Sequence, residues 1–362
     1  MFAKILRIAF EPKTFPVCKV TKPSRKRIIL CGILGAALLP FNSFAASDGW
    51  QTPRTPFGQP DLQGTWTNAT ITPLERPTQF GDQLVLTPEM GRKMEENSPF
   101  ARMKAFDSRP TDPDAPPPPA GGNIGGYNAF WMDPGTRIVQ VNGEYRTSII
   151  SSPKDGQIPY TKAAREYMAE AFGRRTSEIG YDGPEVRGLN ERCLVGYGST
   201  GGPPMLSVLY NNNYQIVQTP DHVMIQVEMN HDARIIRLNA EHRAPELQPF
   251  LGDSVGHWEG DTLVVKTINI NPLQEIRGVW SDYAIYVPPT ATVTERFTRT
   301  GPNSLLYQFT VEDDKAYTQA WTGEMPMYTV DQPIYEYACH EGNYALPGIL
   351  RGARQEERKG KR

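Results

Sequence analysis

Five histidines are the residues of this chain best suited to chemistry, and all lie between positions 222 and 340. They occur as Asp221-His222, Asn230-His231-Asp232, Glu241-His242-Arg243, Gly256-His257-Trp258-Glu259 and Cys339-His340-Glu341. An imidazole exchanges protons near neutral pH, and its neutral form ligates metals. A ring oriented by a carboxylate is what general acid–base catalysis requires. His231 with Asp232 and His340 with Glu341 are therefore the candidate proton-transfer pairs, with Glu228 and Arg146 as polar contacts to a substrate. Plainer readings stand beside these. Asn230-His231-Asp232-Ala233 is rich in turn formers, and a loop held by Cys339 would carry His340 and Glu341 for structural reasons alone.

Further contacts to a ligand are expected from aromatic and amide residues. Tyr210 and Asn212, within Tyr210-Asn211-Asn212-Asn213-Tyr214, could offer hydrogen-bonding groups or simply form a turn. Trp131, with Tyr127 and Phe130, could wall an apolar site or pack in the core. His257 could reach a pocket, and Trp258 is either core or cavity wall. Glu259-Gly260-Asp261 reads as a hairpin turn. Arg146 lies in a predicted strand; pointing inward, its guanidinium would need a carboxylate or an anionic ligand.

Several chemistries lack their signatures. There is no His-Glu-x-x-His, no close cysteine pair and no acidic calcium loop, so no metal site is assigned. Gly198-Ser199-Thr200-Gly201-Gly202 lacks the Gly-x-Ser-x-Gly elbow of a serine hydrolase. No nucleotide fingerprint is present, and no cofactor is expected.

The elements that must position these residues read as mostly β. Asn142-Gly143 joins strands over 137–141 and 145–150, because both residues tolerate positive φ. Strands follow over 214–219, 222–229, 234–238, 255–258, 262–269, 292–299, 305–311, 317–322 and 334–338, separated by turn residues. On the strand from Val223, alternation sets Val223, Ile225, Val227 and Met229 on an apolar face and Met224, Gln226 and Glu228 on the other. Two helices are legible: Thr87-Pro88-Glu89 starts one, and Thr161 caps another over 161–173 with Ala163, Tyr167, Met168 and Phe172 near helical spacing. This pattern predicts an all-β fold, an antiparallel lipocalin-like barrel or a β-sandwich with a few short helices. Residues 47–126, rich in proline and glycine, are expected to wrap the body, with 109–126 as an extended loop. Residues 127–350 form the ligand or catalytic domain, and 351–362 a basic tail that frays from a short helix.

The N-terminus reads as an export signal. Arg25-Lys26-Arg27 precedes an apolar run from Ile28 to Leu39, and Ser43-Phe44-Ala45 supplies a cleavage site, so residues 1–46 are expected to be removed. The run is shorter than the roughly 20 residues of a membrane span. The whole chain holds 38 basic and 40 acidic residues; the first 46 hold eight and one, which leaves 30 and 39 and a formal net charge of −9. An acidic chain lacks the basic face that nucleic acid requires, and stable membrane insertion after cleavage is not expected. The expected compartment is the periplasm or the exterior. Only Cys193 and Cys339 then remain, and an oxidising compartment favours their pairing as a disulfide.

The phrases Pro60-Asp61-Leu62-Gln63-Gly64-Thr65-Trp66, Gly143-Glu144-Tyr145-Arg146-Thr147-Ser148, Gly256-His257-Trp258-Glu259-Gly260-Asp261-Thr262-Leu263 and Cys339-His340-Glu341-Gly342-Asn343-Tyr344 resemble those of a broad group of exported, β-rich bacterial proteins of uncharacterised function. The resemblance covers nearly all of the chain after the signal. It implies export and a β-rich fold, and it supplies no catalytic residues. The residues themselves point to an exported enzyme acting on a small apolar or aromatic molecule by cofactor-free acid–base chemistry, of lyase, isomerase or hydratase type. The alternative is a periplasmic binding or carrier protein that uses the same cavity without catalysis.

Overall fold

The computed structural model describes residues 50–107, 132–176, 178–280 and 283–361, all within the unit Ala46–Arg362. The signal over residues 1–46 and the loop over 109–126, with Tyr127, Phe130 and Trp131, fall outside the described residues. In chain order the elements are β1 Gly64–Thr67, β2 Val85–Leu86, α1 Pro88–Glu96, α2 Pro99–Asp107, β3 Gln140–Val141, β4 Glu144–Arg146, β5 Ile150–Ser152 and α3 Lys162–Thr176. Then come β6 Asn213–Gln218, β7 His222–Val227, β8 Ala233–Leu238, β9 Asp253–Glu259, β10 Thr262–Ile268, β11 Ile276–Trp280 and β12 Tyr283–Tyr286. The last are β13 Thr292–Gly301, β14 Ser304–Glu312, β15 Trp321–Thr329, α4 Cys339–Gly342 and α5 Ala345–Arg358.

The expected barrel is present as a closed, nine-stranded, mixed one. Its order is β1-β6-β7-β8-β9-β10-β13-β14-β15, and β15 returns to β1 through Trp66↔Thr329 and Thr67↔Tyr328. Every neighbour is antiparallel except β8 and β9, which pair in parallel over Arg237–Leu238 and Val255–Gly256 alone. A parallel pair needs a long return connection, supplied here by residues 239–252. β5 joins β15 beside β1, and β2-β4-β3 and β11-β12 form small outer sheets.

Strand alternation places large side chains inside. Trp66, Tyr214, Phe297, Tyr307, Phe309 and Trp321 are all essentially inaccessible, and Phe309 meets Trp321 edge-on at 5.6 Å. Gly323 belongs to this packing, because a Cβ there would sit 2.3 Å from the Phe309 ring. Side chains thus fill the lumen where a lipocalin-like barrel would hold a ligand. Among them is a buried ion pair: Arg234 donates to both Glu295 oxygens, at 3.0 and 2.5 Å, and Tyr307 donates to Oε1 at 2.7 Å. Burial opposes the Arg234 charge, but Glu295 overrides it and holds the guanidinium protonated.

Several expectations change. The segment 47–126 does more than wrap: β1 closes the barrel, Trp66 Nε1 donates to the Leu62 carbonyl at 2.9 Å, and Leu62 N donates to Gln218 Oε1 at 2.7 Å. A four-residue strand among prolines and glycines has too little periodicity to be read. The expected strand over 317–322 lies instead at Trp321–Thr329. It runs through Pro326, a residue that argues against a strand because it has no N–H to donate. The expected strand over 334–338 has no ladder partner among the described residues; Tyr337 packs against the core, while Tyr335 is 60% exposed. The strand expected over 145–150 splits, since β4 pairs with β2 and β3 while β5 pairs with β15. The basic tail is part of α5, and Arg354 donates to the Tyr181 and Asp182 carbonyls, each at 2.9 Å. By contrast, Asn142 and Gly143 take positive φ between β3 and β4, and Thr87 and Thr161 cap α1 and α3 as expected.

Replacing Glu295 by Gln leaves Arg234 charged and unpaired in the lumen. We expect a loss of about 3–5 kcal/mol in urea unfolding, with much of it recovered in the double variant Arg234→Met/Glu295→Leu.

Candidate functional site

The proton-transfer pairs expected from the sequence do not converge. His231 lies at the turn after β7, where Asn230 and His231 both take positive φ. Its Nε2 is 3.0 Å from the Tyr335 carbonyl and 3.2 Å from the Tyr337 amide nitrogen. The ring donates to the first when Nε2 is protonated and accepts from the second when it is not, so in either form it fastens the segment before α4. Asp232 does not orient it. Asp232 Oδ2 accepts from Gly196 N at 2.7 Å, and Oδ1 accepts from Asn230 Nδ2 at 3.2 Å. Burial raises its carboxyl above the usual range, against those two hydrogen bonds. His340 and Glu341 are exposed on α4, and no hydrogen bond joins either to His231.

The expected ligand contacts are dispersed too. Arg146 points inward, and carboxylates satisfy it: Glu144 at 2.8 Å and Glu324 at 3.2 Å. Asn212 is saturated, accepting from Val208 N and donating to Val208 O, each at 2.8 Å. Tyr210 is half-buried beside Tyr337, and its hydrogen bond adds to burial in raising the Tyr337 hydroxyl to about 12. Glu228 leaves the alternation because β7 ends at Val227; it turns inward and accepts from Asn213 Nδ2 at 2.8 Å. His257 stands on the outer face beside Glu259 at 3.1 Å, while Trp258 packs against the core. Trp131 lies outside the described residues. Among the described residues no three His, Cys, Asp or Glu side chains gather as a metal site, and no helix is long and apolar enough to cross a membrane.

What the structure does assemble is a cleft of about 530 Å³ beside the barrel end, between α3, the loop over 185–198 and the β11-β12 ribbon. The loop is held from many sides. Cys193 forms a disulfide with Cys339, with Cα atoms 5.7 Å apart. Asn343 Nδ2 donates to the Glu191 carbonyl at 2.7 Å, and Glu191 itself pairs with Arg187 at 2.5 Å. Gly198 is required where the loop passes β11: its φ is +68°, and a Cβ would lie 2.1 Å from the Gly278 oxygen. α3 contributes Tyr167, Ala171 and Arg174, which the helical repeat aligns on one face.

Two features give this cleft chemical potential. Tyr167 donates a short hydrogen bond to Glu275. That bond, ahead of burial, pushes the Tyr167 hydroxyl up to about 12, so at neutral pH it is a proton donor facing a carboxylate acceptor. Arg192 also lines the cleft, half-buried, and its guanidinium has no hydrogen-bond or ion-pair partner among the described residues. Deeper, Arg277 is buried and donates to the Gln274 and Pro203 carbonyls at 2.7 and 2.6 Å. Burial lowers it to about 10, with the Arg234 charge adding to the effect.

The sequence reading takes Tyr167 as part of the apolar helix face and passes over Arg192, Glu275 and Arg277. The signal available was the spacing of Tyr167, Ala171 and Arg174. Nothing local ties Glu275 to a helix 108 positions earlier. Asp253 gave no local signal either: it is a buried carboxylate whose two oxygens accept from the one Arg237 Nη2 (2.8 and 3.1 Å), with Oδ2 also accepting from His242 Nδ1 at 3.0 Å and Arg243 N at 2.8 Å.

Burial alone would raise the Asp253 carboxyl, but the Arg243 amide, His242 and Arg237 together hold it below the usual range. A carboxylate depressed in the folded state contributes stability above its unfolded pKa of about 3.9, and that contribution is lost as the pH falls through the folded value. Asp253→Asn should therefore lower stability at pH 7 and flatten the acid limb of the stability–pH curve below about pH 4. An unchanged acid limb in urea titrations would remove Asp253 from this role.

No family model, curated protein or solved structure matches this chain.

Proposed function

We propose that the chain is an exported enzyme that acts on a small molecule in the cleft between α3, the 185–198 loop and the β11-β12 ribbon. The chemistry is cofactor-free acid–base chemistry, of lyase, isomerase or hydratase type. One observation carries this reading: the hydrogen-bonded Tyr167–Glu275 pair and the unpartnered Arg192 guanidinium line the same cleft. A general acid and base must lie within hydrogen-bond reach of one substrate position, and a half-buried guanidinium favours an anionic group. Leu189, Val186 and Ala284 add apolar lining. The substrate class is thus an apolar or aromatic body that carries one carboxylate or similar anion. Glu275 takes a proton from the substrate, Tyr167 returns one, and Arg192 fixes the anionic end. Export is supported by the Cys193–Cys339 disulfide, which suits an oxidising compartment.

The carrier reading keeps one observation in its favour. None of the histidine–carboxylate pairs faces this cleft, so a site that binds without proton transfer fits the same lining.

Thermal-shift and calorimetric screening of residues 47–362 against aromatic and terpenoid-like carboxylates, each with its neutral amide, tests both. Carboxylates should bind better than amides, and Arg192→Ala should weaken them about tenfold, or 1.4 kcal/mol. With a ligand that turns over, Glu275→Gln should lower kcat by roughly 10²–10⁴-fold at unchanged affinity. Binding without turnover would establish the carrier; equal binding of amides and carboxylates would sink the site.

A further inference from the structure

The barrel wall is split between β8 and β9. Their parallel ladder covers only Arg237–Leu238 with Val255–Gly256, so Ala233–Ile236 have no ladder partner on that side. Residues 249–254 run opposite this stretch without pairing, turned by Gly252, whose amide donates to the Pro249 carbonyl at 2.9 Å. A second cleft of about 320 Å³ occupies the gap. It shares no lining residue with the first.

Its character differs as well. Leu194, Ile235, Phe250 and Leu251 are its large apolar lining residues, and Leu194 and Ile235 remain 40% and 48% exposed. Two large aliphatic side chains left this open beside one concave site are a surface awaiting apolar contact. At the rim stands Arg243, whose side chain is 49% exposed and whose Nε is 3.8 Å from Asp253 Oδ1. Asp253 already takes both hydrogen bonds of Arg237 and that of His242. One carboxylate thus faces two guanidiniums, and the Arg243 charge is left over. Asp232, on the other side of the cleft, has an oxygen bonded to Gly196 and the other to Asn230, which turns its charge toward the loop.

We propose that this split in the barrel wall is a second small-molecule site, which takes an aliphatic monocarboxylate: the chain lies on Leu194, Ile235, Phe250 and Leu251, and the carboxylate meets Arg243. A linear chain suits a narrow gap between two strands, and the surplus guanidinium suits a single negative charge. The site is independent of the acid–base cleft, and its occupancy requires neither Tyr167 nor Arg192.

Octanoate, with octanol as its neutral counterpart, is the probe. Methyl-labelled residues 47–362 titrated with octanoate should show shifts at Leu194, Ile235 and Leu251, with octanol at least fivefold weaker. Arg243→Gln should weaken octanoate about tenfold, and Ile235→Asp should abolish the methyl shifts; both positions are exposed enough to leave the fold intact. Arg192→Ala should leave the octanoate-induced shifts at Leu194, Ile235 and Leu251 unchanged whatever it does at the first cleft, which separates this site from the first. Shifts confined to Leu189, Ala171 and Ala284, equal affinity for octanol, or indifference to Arg243→Gln would each overturn the proposal.

Discussion

The buried pair of Arg234 and Glu295 constrains the rest of the barrel. Two charges without access to water are tolerable only when they meet in good geometry and their remaining groups are bonded. Here that means a two-pronged contact, a tyrosine hydroxyl on Glu295 and the Ser254 and Thr267 hydroxyls at 3.4 Å from Arg234, whose Nε alone has no partner among the described residues. Those partners come from β8, β9, β10, β13 and β14, so one side-chain network fixes the register of five strands. A slip of one residue in β8 or β13 would turn one charge of the pair outward and leave the other unpaired inside, and a slip in β9, β10 or β14 would turn away a hydroxyl that the pair uses. The network continues to the barrel end, because Met205 N donates to the Tyr307 hydroxyl at 2.8 Å and brings the 198–208 loop down as a cap. Arg277, buried on β11, ties the same loop through the Pro203 carbonyl, with carbonyls rather than carboxylates as partners.

With the lumen filled, the two clefts lie on the outside, and the loop over 185–198 divides them. Its residues 188–192 and 196–198 face the first cleft, while Leu194 and Val195 face the second. Cys193 sits between these stretches at φ +55°, tied to the chain just before α5. Asp232, Asn343 and Met229 add hydrogen bonds to the same loop. A segment without regular secondary structure of its own is thereby held as firmly as an element, which is what a binding wall requires.

The histidines show where local reasoning stops. His231-Asp232, His340-Glu341 and Gly256-His257-Trp258-Glu259 are adjacent in sequence, and adjacency was the basis for pairing them. In space His231 bonds to the backbone near Tyr335 and Asp232 to Gly196, while His340 and Glu341 are exposed. The histidine that does contact a buried carboxylate is His242, eleven positions from Asp253, with a long loop between them. The Tyr167–Glu275 pair spans a helix and a ribbon. Neighbours in sequence at a turn point in divergent directions, whereas neighbours across strands converge, so a constellation of this kind forms only when the sheet closes.

Local pattern in the chain is enough for the class of the fold, because two-residue alternation and turn chemistry are local: the hairpin at Asn142-Gly143, the antiparallel runs β6-β7-β8 and β9-β10, and the caps at Thr87 and Thr161 all follow from it. The sequence also favoured the Cys193–Cys339 pairing, on the expectation that Cys18 and Cys31 leave with an export signal, and the structure joins the two. Tertiary structure decided the rest. Closure through β1, the parallel step at β8 and β9, the strand through Pro326 and the two outer clefts all depend on contacts between residues far apart in the chain. Their physical basis is the filling of one lumen by side chains from every strand, which pushed any room for a ligand to where the wall parts and where loops are tied down.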